Sequence, residues 1–183
     1  MTTKKGIEQR LEIPDGITVR VDLGVVILSS LKGELRRNMH NKRIKIIVEN
    51  KNLSFITERD TKNLRKLIGT YKAHINNMFR GLKDGHKYIL KICSGHFPMN
   101  VSVSKNDFIV KNLLGEKIPR VLRFDNKVSV NVDGEIVTVE SIDKELAGQT
   151  SASIEQLTKR AGYDTRVFQD GIYIINKDGK EMK

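Results

Sequence analysis

The chain repeats itself. Ile13-Pro14 followed by GITVRV returns as Phe97-Pro98 followed by NVSVSK, 84 positions later. Ile44, Ile46 and Val48 alternate with other residues and return at the same spacing as Val128, Val130 and Val132. LKGELRR is answered by LGEKIPR at Leu114 to Arg120, and the run that opens with Leu53 and Phe55 is answered by EIVTVE. Self-similarity at a fixed period marks one supersecondary unit used more than once. Any fold for this chain must therefore be two copies of a single small module.

Within a copy, the hydrophobic period says what the module contains. GITVRVDLGVVILSS alternates β-branched and polar residues around Asp22-Leu23-Gly24, which predicts two strands joined by a tight turn. KGELRRNM predicts a third strand with its basic residues exposed, and KRIKIIVENKNLSFIT a second hairpin turning over residues 49–52. From about Asp60 to Leu82 the period lengthens. Leu64, Leu67, Ile68, Tyr71, Ile75, Met78, Phe79 and Leu82 draw one apolar stripe on a helix, with Gly81 and Gly85 at its end. A second helix carries Leu146, Thr150, Ile154, Leu157 and Ala161 on one side, with Asp143 at its N-cap, and FQDGIYII predicts a strand that closes the second sheet. The expected fold class is α+β: two tandem duplicated domains, each a small antiparallel-rich β-sheet packed on one α-helix. DGHKYILKICSGH reads as a strand-like bridge, which sets the expected domains at residues 1–94 and 95–183.

Composition narrows the partners. Lys and Arg outnumber Asp and Glu by 33 to 22, for a net charge of +11 and a pI near 9.8. Such a balance favours a polyanion, nucleic acid ahead of a membrane surface. The excess is uneven: residues 1–91 hold 20 basic against 9 acidic side chains, and the remainder 13 against 13. No apolar run is long enough to span a bilayer, and the opening MTTKKGIEQRLEIP lacks a signal sequence's apolar core. A soluble, unexported, cytoplasmic chain with no membrane partner is expected, and a lone cysteine, Cys93, suits a reducing compartment.

Catalytic signatures are sparse. Cys93 and His96 form a C-x-x-H pair, but no second cysteine exists to complete a zinc site, so no metal is expected. Neither a Walker-type loop nor G-x-G-x-x-G occurs, so no cofactor and no small-molecule substrate are expected. Glu116, Asp143, Glu155 and Asp170 read as solvated or capping carboxylates; a hydrolase using Asp170 or Glu116 would need a second carboxylate paired with it in a pocket. His74 reads as a capping or packing residue.

RNA binding asks for cations at phosphate spacing, planar side chains for bases, and small residues where backbones approach. Four stretches have that make-up. KGELRRNMHNKR carries Lys32, Arg36, Arg37, Lys42 and Arg43, and FRGLKDGHKYILK carries Arg80, Lys83, Lys87, Tyr88 and Lys91. VKNLLGEKIPRVLR carries Lys111, Lys117, Arg120 and Arg123. TKRAGYDTRVFQDGIY gathers Lys159, Arg160, Arg166, Phe168 and Tyr173, with Gly162 and Gly171 as turn-permitting positions and Arg166 and Phe168 alternating along an extended segment. The last two stretches are the expected RNA-binding surface, and Arg36, Arg37, Arg80, Lys83 and Lys87 possible secondary contacts.

Longer motifs carry a family likeness. HFPMNV at His96 to Val101, NLLGEK at Asn112 to Lys117 followed by Pro119-Arg120, GQTSASIEQ at Gly148 to Gln156 and DTRVFQDGIYI at Asp164 to Ile174 are four of them. With EIPDGITV, KGEL and the helix positions Thr70, His74, Asn77, Met78 and Gly81, they span nearly the whole chain. The chain resembles the large-subunit ribosomal protein L-six family in its archaeal and eukaryotic form, the eukaryotic L-nine type. The resemblance implies a structural constituent of the large ribosomal subunit with a duplicated fold. It also implies binding to large-subunit ribosomal RNA mainly through the second domain, near the sarcin-ricin loop and stalk base. Neighbouring ribosomal proteins, and translational GTPases docking nearby, are the further partners it implies. A free RNA-binding regulator with the same fold is the alternative.

Overall fold

The computed structural model describes residues 6–49, 51–164 and 166–182. Two compact units emerge, one running through Asp84 and the other from Gly85 onward. The first contains strands β1 (Glu8–Glu12), β2 (Thr18–Asp22), β3 (Val25–Ser30), β4 (Gly33–Asn38), β5 (Ile44–Glu49) and β6 (Asn52–Thr57), then helix α1 (Lys62–Lys83). The second contains β7 (His86–Cys93), β8 (Asn100–Ser104), β9 (Asp107–Lys111), a single 3-10 turn (Leu113–Gly115), β10 (Arg120–Arg123), β11 (Val128–Asp133), β12 (Ile136–Ser141), helix α2 (Lys144–Thr158), β13 (Gly171–Lys177) and β14 (Lys180–Glu181).

The pairing repeats the sequence echo. Each unit holds a three-stranded antiparallel meander, ordered β2-β3-β4 in one and β8-β9-β10 in the other. Each also holds a hairpin, β5-β6 or β11-β12, whose second strand pairs with the unit's own first strand. Leu11 of β1 faces Leu53 as Leu90 of β7 faces Val137, and Leu53 and Val137 are themselves 84 apart. So β7 is the second unit's counterpart of β1. The duplicated α+β architecture is as expected from the sequence.

Turn chemistry accounts for the hairpins. The β2-β3 connection is two residues long, with Leu23 and Gly24 both at positive φ (48° and 85°), the mirror-image turn that suits twisted strands. Gly24 is required twice over, since a Cβ there would lie 2.8 Å from the His40 backbone. The turn expected over residues 49–52 includes Asn50, which lies outside the described residues.

Both helices begin where a capping residue stands. The Thr61 hydroxyl accepts from the Leu64 N–H at 3.3 Å, and the Asp143 carboxylate from that of Glu145 at 2.9 Å. The α1 stripe is the core of its unit: Leu64, Ile68, Ile75, Met78, Phe79 and Leu82 are buried against Val26, Leu28, Leu53 and Phe55, with Leu67 and Tyr71 packed beside them. In the second unit Ile154 and Ala147 of α2 bury against Leu90, Phe108, Val137, Val139 and Ile172. Ala161, expected on the apolar side of α2, lies past the helix end and is exposed. Among the described residues no helix is long and apolar enough to cross a membrane.

The expected domain limit, between residues 94 and 95, is where the structure departs most from the sequence reading. β7 is no bridge: it is the middle strand of a five-stranded sheet ordered β11-β12-β7-β13-β14. Tyr88, Leu90 and Ile92 are buried, and both edges of the strand are hydrogen-bonded, one to β12 and the other to β13. A strand with both edges paired inside one sheet belongs to that sheet's unit. The segment LGEKIPR differs too. Where KGELRR forms β4, its echo is a loop through the 3-10 turn, with Asn112, Leu114 and Gly115 at positive φ, and β10 begins only at Arg120.

A fragment starting at Gly85 is expected to fold alone, whereas one starting at residue 95 lacks the middle strand. Urea unfolding followed by circular dichroism should give a cooperative transition for the first and none for the second. A cooperative transition for the shorter fragment would contradict this placement of β7.

Candidate nucleic-acid interface

One end of the second unit gathers three irregular segments and the start of a strand: the loop after β7, the loop between β9 and β10, the stretch following α2, and the start of β13. Asp170 joins the first to the last. Its carboxylate, almost fully buried, accepts from the backbone N–H groups of Gly95 at 2.8 Å and His96 at 3.0 Å, and lies 2.6 Å from His96 Nδ1. Burial pushes this carboxyl's pKa up, but the His96 and Gly95 hydrogen bonds outweigh it and leave the group below its ordinary value.

The anchored loop starts a row of flat side chains. The His96 ring lies against Phe168 with centroids 4.9 Å apart, and Phe168 meets Tyr163 edge-on at 5.1 Å. The Arg160 guanidinium sits over the Tyr163 ring, 4.3 Å from its centroid. Tyr173 comes from β13, and its ring lies over Gly171, where a Cβ would meet two ring carbons and the phenolic oxygen at 3.4 Å. Gly171 therefore makes room for a ring. It does not have the positive φ of a turn glycine, which Gly162 does have, at 83°.

Arg120 ties the β9–β10 loop to the helix end. Its Nε and Nη2 donate to the two Glu116 carboxylate oxygens at 2.8 and 2.7 Å, and its Nη1 donates to the carbonyls of Leu157 and Lys159 at 2.6 and 3.2 Å. The last carbonyls of a helix lack intrahelical donors, so this guanidinium satisfies carbonyls at the C-terminal end of α2. Glu116, held below the usual carboxylate range chiefly by its hydrogen bonds to Arg120, also faces Arg160 Nε at 3.8 Å. A side chain so engaged organises the surface, and it stays 25% exposed there.

The other expected residues divide. Lys111, Lys117 and Lys159 are exposed at this end, and Lys117 follows the exposed loop carrying Leu114 and Gly115. Arg166 is also exposed, but the segment is not extended. The N–H groups of Val167 and Phe168 donate to the Asp164 carbonyl, and the Arg166 guanidinium folds back onto the Asp164 carboxylate at 3.1 and 2.9 Å. An aspartate bonding its own backbone two residues on, here Arg166 N–H at 2.9 Å, is what bends the chain. Arg123 is at the other end of β10 and lines a separate cleft with Leu146 and Gln149 of α2. Lys87 is at the far end of β7, paired with Glu140 at 3.1 Å.

In the first unit Arg36 pairs with Glu34, Arg37 lies 3.3 Å from His74, Arg80 donates to Asn77, and the Lys83 carbonyl accepts from Lys32. His96 and Tyr163 are the site members that charge counting passes over; their signal was the HFPMNV motif and an aromatic among cations. Charge counting also scatters a group that the fold assembles: Lys42, Arg43, Lys45 and Arg59 surround a 350 Å³ cleft beside the start of α1.

The motifs and the doubled fold agree with the comparisons to known proteins. The family model described as Ribosomal protein L6 matches twice, over residues 11–85 and 97–171. The chain belongs to the ribosomal protein L6 family. Relatives named large ribosomal subunit protein uL6 include that of Methanococcus vannielii, 42% identical over 96% of this chain and 97% of its own length. Those of Methanobrevibacter smithii (40%, over 97% and 100%) and Natronomonas pharaonis (41%, over 90% and 93%) are similar. An L6-family chain is a structural ribosomal protein and not an enzyme, and Asp170 and Glu116 are here held by His96 and Arg120.

Two measurements test this geometry. Asp170 and Glu116 have lowered folded-state pKa values. So does Asp178, where burial pushes up but His86 at 3.0 Å and Lys144 at 3.4 Å pull down more strongly. A depressed carboxylate contributes stability that is present above the unfolded value, about pH 4, and lost as pH falls through the folded value. Urea midpoints should therefore drop below about pH 4, and Asp170→Asn should make that drop shallower; an unchanged slope would contradict the Asp170 tie. Arg120→Ala should destabilise the second unit by about 1–3 kcal/mol, because Glu116 and the helix carbonyls lose their donors. Denaturant unfolding reads this directly, and no loss would mean these bonds are unimportant.

Proposed function

We propose that this L6-family chain is a structural constituent of the large ribosomal subunit, working in the cytoplasm as part of the ribosome. It binds large-subunit ribosomal RNA mainly through the loop end of its second unit. The supporting observation is the convergence there of exposed lysines with an ordered row of His96, Phe168, Tyr163 and Arg160. Cations neutralise closely spaced phosphates and release counterions, while the fixed loops match the shape of folded RNA. The family resemblance supports a contact near the sarcin-ricin loop and stalk base, close to where translational GTPases would dock. The first unit, with its basic cleft at Lys42, Arg43, Lys45 and Arg59, adds looser contacts to RNA or to neighbouring large-subunit proteins. In this role the chain holds RNA helices in register and supports translation without catalysing a step.

Lys111, Lys117 and Lys159 make no ion pair among the described residues, so they are the cleanest probes of the phosphate contact. Replacing all three with Ala should weaken binding to large-subunit ribosomal RNA and flatten the slope of log affinity against log salt by about 2–3. Filter binding between 50 and 200 mM salt would read both. An unchanged slope would move the interface elsewhere on the protein.

A further inference from the structure

Between the end of α2, the side chains of Tyr163 and Phe168, and β13 lies a cavity of 180 Å³ whose walls are mainly apolar. Tyr163, Phe168 and Tyr173 supply its aromatic sides, Leu114 closes part of it, and Lys159 and Arg160 stand at its rim. Tyr163 and Tyr173 remain 40% and 39% exposed, so two rings in a wall of this site face solvent. A surface that exposes aromatic faces inside a concave, cation-rimmed site is built to receive something flat and anionic.

The size restricts what enters. Pockets for drug-sized ligands run to roughly 300–1,000 Å³, so this one suits a single planar group. The walls are preorganised: Asp170 holds His96, His96 lies on Phe168, Phe168 meets Tyr163 edge-on, and Arg160 sits over the Tyr163 ring. Little side-chain freedom is left to lose on binding. Both carboxylates in the wall are already engaged. The Asp170 carboxylate is taken by His96 and Gly95, and the Glu155 carboxylate accepts from the Ile174 N–H at 3.2 Å.

We propose that this cavity receives one unpaired RNA base, swung out of its helix and stacked against the Tyr163–Phe168 wall, with its phosphate on Lys159. The proposal rests on reading this end of the second unit as the RNA-binding surface. A nucleotide suits the site better than an aromatic side chain of a protein partner, because its ring arrives with a phosphate one backbone step away and the rim is cationic. Recognition by stacking tolerates any base, so the site selects an unpaired nucleotide by its exposure and not by its sequence.

The test uses the full chain and two RNA hairpins that are identical except for one bulged 2-aminopurine. The bulged hairpin should bind more tightly, by on the order of tenfold, and its fluorescence should be quenched as the base stacks. Tyr163→Ala and Phe168→Ala should remove both the preference and the quenching, whereas Phe168→Tyr, which keeps a ring, should retain them. Equal binding of the two hairpins, or a preference that survives Tyr163→Ala, would overturn the base site while leaving phosphate binding intact. Failure to bind either hairpin at low salt would overturn the RNA-binding surface along with it.

Discussion

The loop end of the second unit depends on one guanidinium. Arg120 points inward, with one side fixed by the Glu116 carboxylate and the other by the last carbonyls of α2. That clamp does two jobs: it ends the helix, and it ties the loop containing Leu114, Gly115 and Lys117 to the segment containing Lys159, Arg160 and Tyr163. Without it, two separately moving connections would each lose conformational freedom on binding the proposed RNA ligand. With it, the cations and rings form one surface before any ligand arrives. The Asp170 tie to Gly95 and His96 does the same for the loop after β7.

Duplication explains why, among the described residues, such a surface is seen in one copy and not in the other. Both units begin with a strand that pairs with the second strand of a hairpin and both are covered by a helix, yet the second differs at the loop end. The stretch that answers β4 includes a left-handed loop ahead of β10, and α2 is shorter than α1, 15 residues against 22. After α2 comes a long irregular connection to β13, a strand that fills the open side of β7. A stable core common to both copies thus leaves one set of loops free to diverge, the usual division between scaffold and site. The first copy keeps more net positive charge but carries no comparable aromatic row among the described residues.

Much of the core was legible because it is local. Ile68, Ile75 and Leu82 announce a helix by their spacing alone, and Asp22-Leu23-Gly24 announces a hairpin turn by its composition. What could not be read is long-range. The alternation of Tyr88, Leu90 and Ile92 looks the same in a bridge and in a middle strand; only pairing of Cys93 with Gly171 decides between them. Arg120 and Lys117 look equally available in a string of letters. Their difference comes from Leu157, a residue far along the chain whose carbonyl one of them reaches. Tyr163 and His96 gain significance only once the fold brings both against Phe168. The turn at Asp164 is a different case, since an aspartate two residues before Arg166 is a local signal for a bend and was outweighed by the β-like look of Arg166 and Phe168.

The most direct test of the proposed RNA contact is crosslinking of ribosomal RNA to protein in assembled large subunits, with the attached peptides identified by mass spectrometry. The prediction is that nucleotides are carried by peptides from the loops around His96–Phe97, Leu114–Lys117 and Lys159–Phe168. Crosslinks confined to the first unit, with none from these loops, would contradict it.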